Sequence, residues 1–285
     1  MLQWYYLALI SSVLTGLAAI VEKDMLKTEY ASAFSATCTV LVAVVSLVFL
    51  PFLKLNITLV NWILIYIVSL LVTASYILTA RSYRHGTISA ASPLNATLPT
   101  LFVVILAFIF LHEVLTVVQY VGIGITILAT YLIMFPNTKK KDFESGKYKM
   151  LIVIGAVMTA ASWLIFKYIL SSPDVITYVV ISQVFMAINM VVYMNFRYGG
   201  MKEIFANSKV YRKELAAVVL LTIGYRITYY AAVAIAPVSL VSPLRNTIVV
   251  ILTVFSGSLI FKETSTTSKI LLSALILLGA FLMII

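Results

Sequence analysis

The sequence predicts an all-α integral membrane protein of about ten transmembrane helices, arranged as two inverted repeats of five helices each. Of the 285 residues, 62% are hydrophobic and 11% are charged, and the mean hydropathy is +1.09. A water-soluble domain has no core large enough to bury that much apolar surface. Two further observations support the prediction: short polar loops separate the apolar runs, and one proline-marked phrase occurs twice.

Ten apolar runs are long enough to cross a bilayer, which requires roughly 20 apolar residues per helix. The first five are predicted near 3–21, 31–53, 58–80, 88–111 and 115–135. The second five are predicted near 150–170, 173–195, 214–236, 239–261 and 266–285. The first run lacks a basic start region and a small-residue cleavage site, so we expect a retained helix and not a signal peptide.

A polar, charged segment at 136–149 divides the chain into two halves of similar length. We predict a first five-helix repeat at 1–135, a basic linker loop at 136–149 and a second repeat at 150–285. Because five is odd, two copies of a five-helix unit must enter the membrane in opposite senses. Such an inverted repeat is a common architecture of secondary transporters.

The repeated phrase lies in the fourth helix of each half. It reads "SPLNATLPT" from Ser92 and "SPLRNTIVV" from Ser242. Within a helix, Pro93 and Pro243 each remove a backbone hydrogen bond, so helix bends are expected at both prolines.

Basic residues are distributed very unequally between the two sets of loops. One set contains Lys23, Lys27, Arg81, Arg84, Lys139, Lys140, Lys141, Lys147, Lys149, Arg197, Lys202, Lys209, Arg212, Lys213, Lys262 and Lys269, and the other contains only Lys54. The positive-inside rule then predicts a multi-pass cell-membrane protein with both termini outside and the central loop in the cytoplasm. Because this pattern accounts for the net charge of +10, we expect no nucleic-acid partner.

Catalytic and metal-binding signatures are missing from the sequence. His112 and Glu113 are not followed by a second histidine at metalloprotease spacing. The single cysteine, Cys38, permits neither an intrachain disulfide nor a cysteine-based zinc cluster. We therefore expect no enzyme activity, no metal and no cofactor.

Two arginines fall inside predicted spans, near the middle of the bilayer. Arg226 shares a helix face with Tyr229, and its counterpart in the first repeat is Tyr76. Arg245 lies about 17 residues from Lys262, roughly 25 Å of helix, and its counterpart is Asn95. These five residues, Arg245, Arg226, Asn95, Tyr229 and Tyr76, are our candidates for solute binding in a central cavity. A third cation, Lys167, lies three residues from a helix end, so we expect it to extend to the interface.

Two interpretations of the buried arginines remain open. In the functional interpretation they bind an anionic or carboxylate-bearing solute. In the structural one they pair with backbone carbonyls at the proline bends, or with Glu22 folded inward. The acids Glu22, Asp24, Asp174 and Glu214 all fall near predicted helix ends, so the sequence identifies no acid inside a span as a partner.

Small residues in the last helices of each half predict close helix packing. They include Gly122 and Gly124 in the fifth span and Gly279 in the tenth. The same residues permit a homodimer, so the oligomeric expectation is a monomer or a homodimer.

The complete pattern resembles the drug/metabolite transporter superfamily, especially its EamA-like branch. The resemblance rests on two five-helix halves, each with a proline-bearing fourth helix that runs to a glutamate, Pro93 to Glu113 and Pro243 to Glu263. A small-residue-rich fifth helix follows in each half, "VGIGITILATYLIMF" and "LLSALILLGAFLMII". The glycine that often precedes the family glutamate is His112 in one half and Lys262 in the other. Many bacterial members keep both termini in the cytoplasm, whereas the loop charges here predict the reverse.

The resemblance implies a secondary carrier that moves a small metabolite through a cavity lined by helices of both halves. The two arginines favour an anionic or zwitterionic solute, such as an amino acid, an organic acid or a phosphorylated compound, moved by alternating access. The alternatives are an exporter of neutral or hydrophobic compounds and a non-transporting membrane partner subunit. A membrane enzyme is third, because no cluster of acid, base or metal ligands is found. The expected partners are the solute and the lipid bilayer.

Overall fold

The structure, a computed structural model, describes residues 3–27, 30–85, 88–134, 146–169, 174–198, 211–261 and 267–285. These residues form ten α-helices, and no β-strand occurs among them. The helices are α1 (Trp4–Met25), α2 (Ala31–Ser46), α3 (Leu59–His85), α4 (Ile88–Phe110), α5 (Val117–Met134), α6 (Gly146–Ile169), α7 (Val175–Tyr198), α8 (Arg212–Ile235), α9 (Val238–Leu259) and α10 (Thr267–Ile284). The predicted all-α class is confirmed.

Seven of the described helical segments are long and apolar enough to cross a membrane. They are Trp4–Met25, Ala31–Phe52, Leu59–His85, Met150–Ile169, Val175–Tyr198, Arg212–Ile235 and Val238–Leu259. Three shorter apolar stretches, Leu94–Phe110, Val117–Leu132 and Leu271–Ile284, belong to α4, α5 and α10. The protein is therefore a multi-pass membrane protein.

Several helix ends differ from the sequence prediction. The second span is α-helical only to Ser46 and continues as a 3₁₀ helix over Leu47–Phe52, which contains Pro51. A proline there has no N–H to donate, and a tighter turn accommodates it. α1 continues through "EKDM" to Met25, and α3 continues through "RSYRH" to His85, so both helices carry polar residues past the predicted spans. α6 begins at Gly146, inside the predicted linker, and most of that linker lies outside the described residues.

The most extensive helix packing joins the two halves. α1 packs against α8 and α9, and the equivalent helix of the second half, α6, packs against α3 and α4. Three other pairs join helices with the same place in each half: α2 with α7, α4 with α9, and α5 with α10.

α4 and α9 cross in opposite directions. At one end, Glu113, just after α4, contacts the first residue of α9, Val238. Nearer the middle, the Asn246 amide of α9 donates to the Ala96 carbonyl (2.8 Å) and to the Thr100 hydroxyl (2.6 Å) of α4. The two helices that contain the repeated phrase therefore run antiparallel.

A left-handed residue follows the end of α4. His112 has a φ of 53°, the conformation that glycine adopts most readily. The backbone N–H of the next residue, Glu113, turns back to donate to the Ala107 carbonyl at 3.3 Å.

α5 and α10 approach so closely that their backbones touch. A Cβ atom on Gly279 would lie 2.6 Å from the Gly122 carbonyl oxygen, and a Cβ on Gly122 would lie 2.6 Å from the Gly279 carbonyl oxygen. Gly124 lies two residues after Gly122, and a Cβ atom there would be in open space, with no other atom within 4 Å. Close packing therefore depends on Gly122 and Gly279 and not on Gly124.

Replacing Gly279 by alanine should lower stability, because the new methyl group meets backbone atoms that cannot rotate away. We expect a loss of about 1–3 kcal/mol, the usual cost of overpacking. The measurement is thermal unfolding of the purified protein in detergent. Gly124→Ala is the matched control and should leave the melting temperature nearly unchanged. Equal melting temperatures for the two variants would contradict the described α5–α10 contact.

Candidate functional site

A cavity of about 180 Å³ lies between six helices in the middle of the bundle. Its walls come from α1, α3 and α4 in the first half and from α6, α8 and α9 in the second. All five candidate solute-binding residues line it: Tyr76, Asn95, Arg226, Tyr229 and Arg245. Further polar groups in its wall include Thr15, Glu22, Ser75, Thr79, Ser92 and Asn246. The fold thus brings residues from both halves together around one space.

The cavity extends toward one end of the bundle. We call the end with the basic loops the basic face, and the opposite end, where α2 and α3 are joined, the Lys54 face. Glu22, Tyr83 and Ser92 line the cavity, and all three lie in the part of their helix nearest the basic face. The space therefore runs from the middle of the bundle toward the basic face.

An aromatic cluster closes the bundle on the Lys54 side. Phe166, Tyr178 and Tyr230 are all buried, and they belong to the end of α6, the start of α7 and the end of α8. Their ring centroids are 4.2 to 5.0 Å apart. The first turns of α9 are also buried here, with Val238 and Val241 both at 0% exposure.

Arg245 is buried in a shell of hydroxyls and aromatic rings. The residue is 8% exposed. The guanidinium donates from Nε to Ser11 Oγ (3.2 Å) and from Nη2 to Thr15 Oγ1 (2.9 Å), both on α1. Its Cζ lies 4.9 Å from the ring centroid of Tyr229 and 5.3 Å from that of Tyr225. Aromatic faces attract a cation, and the attraction strengthens away from water, so this shell lowers the cost of burial without a negative charge.

Tyr229 connects this shell to the repeated phrase. Its hydroxyl shares a hydrogen bond with the hydroxyl of Ser242, 2.9 Å away. Ser242 precedes Pro243, which lies inside α9. Pro243, where one of the two helix bends is predicted, is therefore next to residues of the cavity wall. Pro93 falls within α4, but its side chain lies outside the described part of the structure.

A serine of α1 enters the hydrogen-bond ladder of α9 just after Pro243. The Ser12 hydroxyl donates to the Arg245 carbonyl and accepts from the Val249 N–H at 3.1 Å. In a regular helix these two backbone groups would bond to each other, because they are four residues apart. A side chain inserted in this way is a recognised cause of helix bending. Ser12 thus holds α1 and α9 together beside the cavity.

Arg226 is held mainly by α7. Its residue is 9% exposed, and Nη1 lies 3.3 Å from Met186 Sδ. With the Gln183 amide oriented so that its oxygen faces the guanidinium, that oxygen accepts from Nη1 and from Nε, the latter at 3.2 Å. Both contacts are to uncharged groups.

Glu22 is a cavity residue that the sequence prediction placed at a helix end. It is 7% exposed because α1 continues to Met25, which places the carboxylate inside the bundle. Its Oε1 accepts a hydrogen bond from the Tyr76 hydroxyl at 3.1 Å. Apolar periodicity cannot reveal such a residue, because a charge normally marks the end of a span. The sequence indicates the longer helix in one way: no proline precedes Met25 to end α1 at the last apolar residue.

The structural interpretation of the arginines named two kinds of partner. Among the described residues, the hydrogen bonds of both guanidinium groups go to side chains and not to backbone carbonyls. No ion pair of 4.0 Å or less joins Glu22 to Arg226 or Arg245 in this part of the chain. Glu22 does point inward, as that interpretation required. Its carboxyl group lines the same cavity as the two guanidinium groups but does not contact either of them directly.

Asn95 is not free in the cavity. Its amide donates to the Ser82 hydroxyl of α3 at 2.7 Å, and the residue is half-buried. Asn95 therefore joins α3 to α4 while it lines the wall. The neighbouring position in the second half, Asn246, joins α9 to α4.

Comparison with known proteins identifies the family. The model of the EamA-like transporter family matches residues 2–135 and again residues 147–285, one match in each predicted repeat. No curated protein matches the sequence. The crystal structure of one protein superposes with a TM-score of 0.66, at 13% sequence identity, over 96% of this chain and 95% of its own. That likeness shows a shared fold, and the family match confirms the resemblance found in the sequence.

Replacing Ser12 by alanine should destabilise the protein. The change leaves the Arg245 carbonyl and the Val249 N–H without the hydroxyl that now bonds both. The expected loss is about 1–3 kcal/mol, the cost of an unsatisfied buried polar group, measured as thermal unfolding in detergent. Ser256→Ala is the control, because that buried serine of α9 bonds to the Thr253 carbonyl of its own helix. If Ser12→Ala were as stable as Ser256→Ala, the prediction would be wrong, and the Val249 N–H of α9 would bond to the Arg245 carbonyl without help from Ser12.

Proposed function

We propose, since the chain belongs to the EamA-like transporter family, that it is a secondary-active carrier of a small anionic or zwitterionic metabolite. Candidates are an amino acid, an organic acid or a small phosphorylated compound, moved by alternating access. One observation carries the proposal. Two buried arginines and one buried glutamate line a single cavity, and within the described residues neither arginine has a carboxylate within 4.0 Å.

The charges in the wall favour a solute with a carboxylate or phosphate. A guanidinium at bilayer depth costs at least about 2.5 kcal/mol on insertion scales. The neutral partners of Arg226 and Arg245 offset part of this cost and leave the positive charges unneutralised. A carboxylate or phosphate could accept hydrogen bonds from such a guanidinium in paired geometry. Glu22, in the same wall, would attract an ammonium group, so a zwitterion suits the cavity as well as an anion does.

The size of the cavity also favours a small polar solute. Pockets for drug-sized ligands usually have volumes of about 300–1,000 Å³. A cavity of about 180 Å³ is below that range. An exporter of larger hydrophobic compounds would need a wider and less polar space.

For alternating access, we propose that the two five-helix halves are inverted relative to each other. The antiparallel crossing of α4 and α9 supports this, because these helices have the same place in each half. α2 and α7 also run antiparallel. Lys54, which follows the 3₁₀ helix after α2, donates its N–H to Thr177 at the start of α7. Ala36, early in α2, belongs to the same buried cluster as Met194, late in α7. By the positive-inside rule, the loop charges favour an orientation with the basic face in the cytoplasm and both termini outside, and this orientation is part of the proposal.

Replacing Arg245 by glutamine should abolish solute-dependent stabilisation. A ligand that binds only the folded state, at 100 times its Kd, adds about 2.7 kcal/mol of stability. We would measure thermal unfolding in detergent with a panel of amino acids, organic acids and sugar phosphates. The wild-type protein should be stabilised by at least one class, and Arg245→Gln should lose that response.

The control for Arg245→Gln is Arg212→Gln, the same change at an exposed position in the first turn of α8. This variant should keep the full response. If no compound stabilises the wild type, or if Arg245→Gln responds as the wild type does, the proposal of an anionic or zwitterionic solute is wrong. The neutral exporter and the non-transporting partner would then become the better explanations.

Replacing Glu22 by glutamine should separate zwitterions from simple anions. The change removes the one acidic side chain that lines the cavity among the residues that the structure describes. We expect stabilisation by amino acids to fall about tenfold in apparent affinity, corresponding to roughly 1.4 kcal/mol, while organic acids bind at least as well as before. Asp24→Asn, an exposed acid two residues along the same helix, should change neither. An equal loss for both solute classes would contradict a role for Glu22 in recognising an ammonium group.

A further inference from the structure

At the Lys54 face, a carboxylate that follows α4 binds the start of α9. Glu113 Oε1 accepts from the Val238 N–H at 3.0 Å. Its Oε2 accepts from the Ser239 N–H at 3.0 Å and from the Ser239 hydroxyl at 2.5 Å. The first N–H groups of a helix have no partner within the helix, and its dipole favours a negative charge there. One residue of the first half thus caps a helix of the second.

Lys167 makes the complementary contact at the end of α8. Its Nζ donates to the carbonyl oxygens of Val233 (2.7 Å) and Ala236 (2.9 Å). The last carbonyls of a helix lack partners within the helix, and a positive charge is favourable there. The sequence predicted that Lys167 would extend to the interface, whereas its ammonium group turns to the end of a neighbouring helix.

These two contacts hold opposite sides of one corner. α8 ends at Ile235 and α9 begins at Val238, so only two residues lie between them. Glu113 reaches the corner from α4, and Lys167 reaches it from α6. Together they join α4 and α6 to α8 and α9 at the closed end of the cavity, next to the aromatic cluster.

We propose that Glu113 and Lys167 are positioning residues for transport. Their hydrogen bonds to the α8–α9 corner, which we call the closing contact, keep the Lys54 face shut, and they must break before a solute can pass that face. The inference rests on the alternating-access part of the proposed function and not on the charge of the solute. Glu263 has the equivalent place in the second half and lies outside the described residues.

Opening the Lys54 face would break the closing contact. All four helices that bound the corner also line the cavity, so widening the cavity toward the Lys54 face moves α8 and α9 away from α4 and α6. Such a movement separates the Glu113 carboxylate from three donors at once. It also frees the Lys167 ammonium group from two carbonyls. Hydrogen bonds to charged groups are among the stronger ones in proteins, so their loss opposes opening.

The test is a distance measurement across the closing contact. Spin labels are attached at Val114→Cys and Ile235→Cys, which are 79% and 60% exposed and lie on the two sides of the contact. The background is Cys38→Ser, which removes the single cysteine. Distances are measured by double electron–electron resonance on the purified protein without added solute, with Glu113→Gln and Lys167→Gln as separate variants.

We expect Glu113→Gln to add a population at longer distance. The ratio of open to closed molecules should rise about tenfold, the size expected for one lost hydrogen bond to a charged group. Lys167→Gln should shift the ratio in the same direction. Glu214→Gln, the same chemical change in the first turn of α8 near the basic face, should leave the distances unchanged.

A second readout separates a specific opening from general loosening. Ser75 lines the cavity on α3, so a Ser75→Cys reporter measures access from the basic face to a polar maleimide. Opening of the Lys54 face should close the basic face and slow this labelling in Glu113→Gln. Faster labelling together with longer distances would show that the contact only stabilises the fold, which would overturn the proposal. Unchanged distances in both variants would also overturn it.

The result is independent of the solute experiment. Longer distances with slower labelling would support the closing contact even if no compound stabilised the protein. Stabilisation by an anionic solute, with unchanged distances in both variants, would support the proposed solute and overturn the closing contact.

Discussion

The burial of the Arg245 guanidinium is the constraint on which much of the bundle depends. A positive charge at that depth must find polar or aromatic partners inside the protein, because the lipid offers none. The partners come from three other helices: Ser11 and Thr15 from α1, Tyr229 from α8, and Trp163 from α6, whose ring centroid is 5.9 Å from Cζ. α1 must therefore lie directly against α9. Small side chains along α1 allow this, and a Cβ on Gly16 would already meet Leu252 at 2.8 Å.

The choice of partners has a functional consequence. A permanent ion pair with a carboxylate would stabilise Arg245, but an anionic solute would then have to displace that carboxylate. Rings and hydroxyls reduce the cost of the charge and leave its field in place. Glu22 is arranged in a similar way, with the Tyr76 hydroxyl as its partner and no cation within 4.0 Å among the described residues. The cavity wall therefore holds two guanidinium groups and one carboxyl group that are separated from one another, and each is bonded to neutral groups.

Much of this could be predicted from the sequence, because membrane helices have a strong apolar signal and their depth can be counted in residues. The distance from Lys262 placed Arg245 inside the bilayer, and the duplicated phrase related it to Asn95. Features that depend on tertiary contacts could not be predicted. The carbonyl partners of Lys167 lie 66 and 69 residues away in sequence. Glu22 does lie near the end of α1, but its burial could not be predicted, because a charged residue normally marks the end of an apolar span. No sequence pattern indicates that a hydroxyl of α1 enters the hydrogen-bond ladder of α9.

The Ser12 contact bears on how the helices would move in the proposed alternating access. Its hydroxyl bonds to two backbone groups of α9 and so joins α1 to α9, and α8 packs on both. We therefore expect these three helices to move as one unit. α3, α4 and α6 form the corresponding unit on the other side. Each unit takes one helix from one half and two from the other, so the sequence repeat and these units do not coincide. The Asn246 bonds to α4 then lie between the two units near mid-depth, where a pivot moves least. Separating the halves into two polypeptides would therefore leave neither with a complete moving part.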